Sequence, residues 1–64
     1  MKYLQLEKHL IPAMLIKRVE QVEEEGTEED GSEVLYVHTV IHFKDDTEMT
    51  VEEDFDTVCG LLNN

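Results

Sequence analysis

The strongest hydrophobic pattern in the chain runs from Glu33 to Phe43, where seven of the eleven residues are apolar. Most of the seven are β-branched or aromatic, and they fall on both faces of a strand. This is typical of the central strand of a sheet. The alternating segment from Tyr3 to Glu7 predicts a second, short strand. Pro12 predicts a turn within the segment from Lys8 to Ala13.

A hairpin is predicted directly after the central strand, with Thr47 to Val51 as its second arm. A two-residue loop at Asp45 and Asp46 would place Met49 opposite His42. A three-residue loop from Lys44 to Asp46 instead pairs Met49 with Ile41, which brings two large apolar side chains together. Three-residue loops need a left-handed residue at their last position, and Asp tolerates that conformation. The sequence therefore predicts the longer loop, with a positive φ at Asp46.

The segment from Glu52 to Leu62 predicts a helix, because apolar residues recur at helical spacing on one face. These residues are Phe55, Val58, Cys59 and Leu62. Acidic residues crowd the first turns, where they face the positive end of the helix dipole. Thr50 and Glu53 have the spacing of a capping box.

The pattern from Met14 to Val22 leaves two alternatives open, a helix or a strand from about Leu15 to Glu24. An acidic, flexible loop is expected at about residues 25–32, where two glycines interrupt a run of like charge. Together these elements predict one small α+β domain covering residues 1–64. Its antiparallel sheet would have three or four strands, with the C-terminal helix packed on one face.

The stretch from Thr39 to Val58 resembles the C-terminal half of the small FlbD-type (SwrD) flagellar-associated proteins. Those proteins have a strand, a tight turn, a strand ending in Val and an acidic helix start. Upstream, Leu4 to Leu6, Ile11-Pro12 and Ile16 to Val19 are similar to their short strand, Pro turn and second strand. The resemblance implies a strand rather than a helix at 15–24, and it implies no active site. Asp46 stands where that family usually has Gly.

Charge is distributed unevenly along the chain, whose formal net charge is −11. Up to Val19 there are four basic residues and one acidic, a balance of +3. From Glu20 onward there are one basic and fifteen acidic residues, a balance of −14. Such a surface repels nucleic acid and anionic lipid and attracts basic surfaces. We therefore expect no direct nucleic-acid or membrane binding and a protein partner with a basic surface.

No pattern in the chain predicts catalysis, a cofactor or a metal site. His38 and His42 share a strand face, but four residues separate them by about 13 Å, too far for one ion. The acidic run from Glu23 to Asp30 lacks the ligand spacing of a calcium loop. Cys59 lies on an apolar stripe, where a thiol is inert. We expect a non-enzymatic protein without cofactor.

Size and cysteine content bear on the setting of the protein. The longest apolar stretch, Leu10 to Ile16, has seven residues, whereas about twenty are needed to span a bilayer. The single cysteine suits a reducing compartment, so a cytoplasmic location is expected. A 64-residue domain has a small core, and self-association is a common supplement.

The leading functional hypothesis is a small protein–protein interaction or regulatory module that associates with itself as a homodimer. One helix cannot cover both sheet faces, so apolar residues of the central strand should remain exposed. The alternatives are an acidic DNA-mimic inhibitor of phage type and a flagellar-associated accessory protein. The expected interaction residues are apolar or histidine positions of the central strand and acidic residues near it. They are Val34, Tyr36, His38, Val40, Glu23, Glu24, Glu28, Glu52, Glu53 and Asp56.

Overall fold

The predicted α+β architecture is confirmed by a computed structural model that describes residues 2–63. Within these residues, five strands, one short 3-10 turn and one helix follow each other in sequence. They are β1 (Tyr3–Gln5), β2 (Leu10–Pro12), the 3-10 turn (Ala13–Leu15), β3 (Ile16–Thr27), β4 (Glu33–Phe43), β5 (Glu48–Val51) and α1 (Phe55–Leu62). β3, β4 and β5 form an antiparallel sheet in that order, while β1 and β2 form a separate antiparallel pair.

The predicted position and register of the central strand are confirmed. β4 lies between β3 and β5, and Ile41 pairs with Met49 as the three-residue turn requires. The Phe43 N–H donates to the Thr47 carbonyl at 2.8 Å, which closes the turn. Asp46 has a φ of 71°, the left-handed conformation expected of the last turn residue.

The segment from Met14 to Val22 contains a strand, so the helical alternative is wrong. The apolar spacing that suggested a helix arises from a β-bulge at the start of β3. Ile16 pairs with Phe43 and Arg18 pairs with His42, which leaves Lys17 as an extra residue. The extra residue places both Ile16 and Val19, three positions apart, on the face that α1 covers.

Pro12 pairs with Tyr3 as the last residue of β2, and it is also the N-cap of the 3-10 turn that begins at Ala13, so the chain turns directly after it as predicted. The chain also reverses earlier, between Leu6 and His9, where the Leu6 N–H donates to the His9 carbonyl at 2.8 Å. β2 has a partner on only one side, and a proline is compatible with such an edge.

The hydrophobic core lies between α1, the β1–β2 pair and the half of the main sheet that includes β5, which we call the lower half. Leu4, Ile41 and Val58 are almost completely buried and come from β1, β4 and α1 respectively. Leu6, Ile11 and Val51 complete the buried cluster. Each fully buried aliphatic side chain contributes about 1.5–3 kcal/mol. Contacts from three separate elements therefore hold the helix on one face of the sheet.

The helix is shorter than predicted, because it begins at Phe55 and not at Glu52. Its N-cap is Asp54, whose carboxylate accepts a hydrogen bond from the Thr57 N–H at 2.7 Å. The predicted capping box is therefore wrong: Thr50 lies within β5, and Glu53 precedes the cap. Among the expected first-turn acids, only Asp56 lies inside α1.

The acidic segment expected as a loop at about residues 25–32 is largely structured. β3 continues through Thr27, and residues 28–32 form a tight turn of the same type as the β4–β5 turn. Gly31, with a φ of 87°, occupies the position that Asp46 occupies in the other turn. In both turns the preceding Asp accepts hydrogen bonds from the backbone and hydroxyl of a Ser or Thr two residues later.

The two matched turns allow a direct test of backbone strain. Asp46→Gly should raise the free energy of unfolding by about 0.5 kcal/mol, because Gly removes the steric cost of the left-handed conformation. Gly31→Asp should lower it by about 1 kcal/mol, since no atom lies near enough to the added Cβ to cause any other effect. Urea denaturation measures both. Asp46→Asn is the control for charge, and a gain equal to that of Asp46→Gly would show that strain is not the cause.

The helix cap predicts a specific loss of stability in acid. Hydrogen bonds from the Thr57 hydroxyl and N–H hold the pKa of Asp54 below its usual 3.8. A lowered pKa stabilises the fold above about pH 3.8, and this stabilisation is lost as the pH falls through the folded value. Asp54→Asn retains an uncharged acceptor at every pH. The free energy of unfolding of Asp54→Asn, relative to that of the wild type, should therefore increase as the pH is lowered from about 6 to about 2.5. Urea denaturation at each pH measures this difference. Asp56→Asn removes a charge from the same turn, and an equal rise there would contradict the prediction.

Candidate protein interaction surface

The main sheet extends well beyond the helix as a two-stranded ribbon. β5 pairs only with Thr39 to His42 of β4. The upper parts of β3 and β4, which are Val22–Thr27 and Glu33–His38, therefore pair only with each other among the described strands. We call residues 22–38 the ribbon. The molecule measures 48 × 23 × 18 Å, and its radius of gyration is 13.9 Å. A compact chain of this length would have about 11 Å. The ribbon is the feature that makes the molecule elongated.

Four of the predicted interaction residues share the sheet face opposite α1, which we call the outer face. Val34, Tyr36, His38 and Val40 alternate along β4 with residues that face the helix side. Glu24 lies on the same face directly opposite Tyr36. The structure thus brings an apolar row and a carboxylate together on one surface. Tyr36 is about half exposed.

The remaining predicted acids divide between two regions. Glu23 lies on the helix side of the ribbon, and Glu28 lies at its turn. Glu52 and Glu53 instead contact the β1–β2 turn. Glu52 forms an ion pair with Lys8 at 2.9 Å, and the Glu53 carboxylate accepts a hydrogen bond from the Glu7 N–H at 2.7 Å.

Asp56 lies in the first turn of α1. The three acids before and within α1 therefore belong to the body of the molecule and not to the ribbon. The hydrogen bond from Lys8 also gives Glu52 a structural role, and it raises the pKa of Lys8 above its usual value.

Leu35 and Val37 are exposed ribbon residues that the sequence analysis missed. Both lie on the helix side of β4, yet they are 58% and 54% exposed. The prediction assumed that α1 would cover this whole face. An eight-residue helix is only about 12 Å long, whereas an eleven-residue strand is about 36 Å long. A comparison of these lengths in the sequence would have identified both residues.

Tyr36 packs over a glycine on the neighbouring strand. Gly26 of β3 lies diagonally across from Tyr36, and a Cβ built on Gly26 would be 2.5 Å from the Tyr36 Cε2 atom. The ring therefore occupies the space that any other residue at position 26 would fill. An aromatic ring over a strand glycine compensates for the missing side chain and pins the register of the two strands.

The ribbon is the most acidic part of the protein. It carries seven carboxylates and no Lys or Arg; these acids are Glu23, Glu24, Glu25, Glu28, Glu29, Asp30 and Glu33. The basic residues lie in the body, where several are already paired with acidic groups. Lys17 lies 3.9 Å from Asp46, and Arg18 lies 3.5 Å from Glu20. The negative field is therefore strongest at the projecting end.

Comparison with protein-family models, curated proteins and solved structures finds no match to this chain. The resemblance to the FlbD-type proteins therefore stays a prediction. Within residues 2–63, no helix is long and apolar enough to cross a membrane.

The two histidines of the outer face each lie near carboxylates, and His42 is within hydrogen-bond distance of Glu20. The His42 Nε2 atom lies 2.9 Å from Glu20 Oε1, and its Nδ1 atom lies 3.4 Å from Glu48 Oε2. His38 Nε2 lies 3.6 Å from Glu24 Oε2. Because Glu20 and Glu48 contact opposite edges of the His42 ring, the three groups do not converge on one point. In the part of the chain that is described, no three His, Cys, Asp or Glu side chains are arranged to hold a metal ion.

The contact between Gly26 and Tyr36 can be tested with a double-mutant cycle. Gly26→Ala should lower the free energy of unfolding by about 1 kcal/mol, because the new methyl group displaces the Tyr36 ring. In a Tyr36→Ala background the same change should be neutral or stabilising by about 0.5 kcal/mol, since Ala is the better strand residue. Urea denaturation of the four proteins gives both values. An equal effect of Gly26→Ala in the two backgrounds would show that the ring does not rest on the glycine.

Proposed function

We propose that this protein is a small, non-enzymatic interaction module whose ribbon binds a protein partner with a basic surface. The observation that carries the proposal is the composition of the ribbon, which combines seven carboxylates, no Lys or Arg and a run of exposed apolar residues. The apolar run comprises Val34 to Val37. Interfaces commonly combine an apolar or aromatic centre with a polar rim, and the ribbon has both.

The shape of the ribbon supports this proposal. From Val22 to the turn, it projects about 20 Å. A narrow projection of this length fits into a groove or cleft of a partner better than against a flat surface. Its charge would speed association with a cationic cleft, and Tyr36 offers a large side chain that loses little entropy on binding. A lone cysteine suits a reducing compartment, so we place the partner in the cytoplasm.

A DNA-mimic inhibitor is the second candidate, and the charge density of the ribbon favours it. Over about 20 Å, duplex DNA carries about twelve phosphate charges and one strand carries about six. The ribbon carries seven carboxylates over the same length. Its charge density is therefore close to that of a single DNA strand and below that of a duplex. In this version of the proposal, the partner's basic cleft is a nucleic-acid-binding site.

The proposal is tested with two variants that lose the same amount of charge. The ribbon variant carries Glu23→Gln, Glu24→Gln and Glu25→Gln. The control variant carries Glu7→Gln, Asp46→Asn and Asp56→Asn, which lie in the body. A partner is first isolated by affinity capture on the immobilised wild type, and its binding to all three proteins is then titrated at low and moderate salt.

The ribbon variant should bind at least tenfold more weakly than the wild type at low salt, and the control less than threefold more weakly. The difference in affinity between the ribbon variant and the wild type should become smaller at moderate salt, because salt screens the charges. Equal losses in the two variants, or no loss in either, would contradict the proposal. Competition for the captured partner by a single-stranded oligonucleotide supports the DNA-mimic version, whereas binding that is insensitive to DNA supports a protein partner of another class.

A further inference from the structure

One edge of the ribbon has unpaired backbone groups and no charged residue at its centre. The Phe43 N–H points toward the β5 side, where it donates to the carbonyl of Thr47, the residue before β5. Residues two apart in a strand direct their backbone groups to the same side, so Glu33, Leu35 and Val37 also direct theirs to the β5 side. β5 ends at Val51, opposite Thr39, and among residues 2–63 no strand occupies the space beyond it. The upper half of β4 is therefore an open edge.

The two edges of the ribbon differ in charge. One edge is formed by β3, which carries three consecutive acids, Glu23 to Glu25. Charged side chains of this kind prevent edge-to-edge pairing. The open edge of β4 carries Val34 to Val37, which include no charged residue. Leu35, Tyr36 and Val37 are 58%, 46% and 54% exposed. A two-stranded ribbon is weakly stable in water, and a third strand on the β4 edge would pair its backbone and place side chains beside Leu35, Tyr36 and Val37.

We propose that the occupant of this edge is a second copy of the chain, paired antiparallel through the same β4 residues about a two-fold axis at Leu35. This deepens the proposed function, because it assigns one edge of the ribbon to self-association. In this register Leu35 faces its own counterpart, Val34 faces Tyr36 of the second copy, and Glu33 faces Val37. Most cross-strand pairs are then apolar, which is the arrangement that stabilises a sheet.

The position of β5 selects this register. A shift of the second copy toward β5 would bring its Glu33 opposite Thr39, a position that Val51 already occupies. A shift in the other direction would pair Val37 with Gly31, which lies in the turn with a φ of 87°. Only pairing centred on Leu35 uses Glu33, Leu35 and Val37 of both copies.

Charge also favours pairing through β4. The paired ribbons would have the strand order β3-β4-β4-β3, so the two acidic strands lie three strand spacings apart, about 14 Å. This distance exceeds the Debye length of about 8 Å at physiological ionic strength. Pairing through β3 would instead place Glu23 to Glu25 of both copies side by side. Since each copy carries a net charge of −11, added salt should strengthen the dimer.

The contact is small, which sets the expected strength. Five-residue strand pairs bury less than the roughly 1,200 Å² of standard stable complexes. We therefore expect dissociation constants in the micromolar range or weaker. Salt distinguishes this contact from the proposed partner contact, because salt should strengthen self-association and weaken binding to a basic partner. Failure of one proposal therefore leaves the other open to its own test.

The experiment is sedimentation of the full chain over a wide concentration range, with charge changes at the proposed two-fold position. Leu35→Lys and Leu35→Glu each place two like charges face to face, so each variant alone should dimerise at least tenfold more weakly. An equimolar mixture should recover the association as a Lys–Glu heterodimer. This recovery is expected only if residue 35 of one copy faces residue 35 of the other, and it cannot arise from misfolding of either variant.

Leu10→Lys is the matched control. Leu10 is 63% exposed, close to the value for Leu35, but it lies on β2 outside the ribbon. This variant makes the same change in net charge and should dimerise within threefold of the wild type. A wild type that stays monomeric at millimolar concentration in moderate salt overturns the proposal. A dimer that survives Leu35→Lys, or two variants that fail to recover association when mixed, would overturn the assignment to the β4 edge.

Discussion

The difference in length between α1 and the strands it covers determines the shape of this protein. The helix extends about 12 Å, whereas β3 and β4 each extend more than 35 Å. Burial of Leu4, Ile41 and Val58 secures the lower half of the sheet, where the helix, β5 and the β1–β2 pair all converge. In the ribbon, which begins beyond Thr39, neither the helix nor β5 nor the β1–β2 pair covers the strands. The ribbon is the part of the sheet on which no helix or further strand among residues 2–63 packs.

The register of the ribbon is fixed by its two ends and by one side-chain contact. The turns at either end of β4 share the same hydrogen bonds, in which an Asp carboxylate accepts from a Ser or Thr two residues later. A slip of one residue would exchange the two faces of the strand and expose Ile41. At the upper end, the ring of Tyr36 over Gly26 adds a second constraint. The ribbon can therefore project into solvent without losing its alignment.

Charge is divided between the ribbon and the body in a way that suits these roles. The body holds all five Lys and Arg residues, and contacts such as Lys8 with Glu52 connect its elements. Exposed ion pairs of this kind contribute little to stability, about 0–1 kcal/mol at most. The lack of Lys and Arg to form such pairs in the ribbon therefore has little effect on the fold. It leaves the ribbon with an uncompensated negative field, and this makes the ribbon the part of the surface most able to attract a basic partner.

Local pattern was sufficient for the central strand and for the turn that follows it. The apolar run of β4 predicted a central strand, and the choice of a three-residue turn predicted both the pairing of Ile41 with Met49 and the positive φ of Asp46. In each case neighbouring residues decide the outcome, through strand periodicity or turn geometry. The Asp-Gly-Ser sequence before β4 carries the same signal as Asp-Asp-Thr after it, so the first turn was also within reach of the sequence.

Tertiary structure decided the features that depend on distant residues. The bulge at Lys17 makes the start of β3 resemble a helix in sequence, and only pairing with β4 shows why Ile16 and Val19 share a face. Pro12 occupies a strand because Tyr3 pairs with it on one side. Exposure of Leu35 and Val37 depends on where α1 ends relative to the strands. A sequence specifies which side chains are apolar, but which of them are buried depends on the lengths and positions of the elements that pack against them.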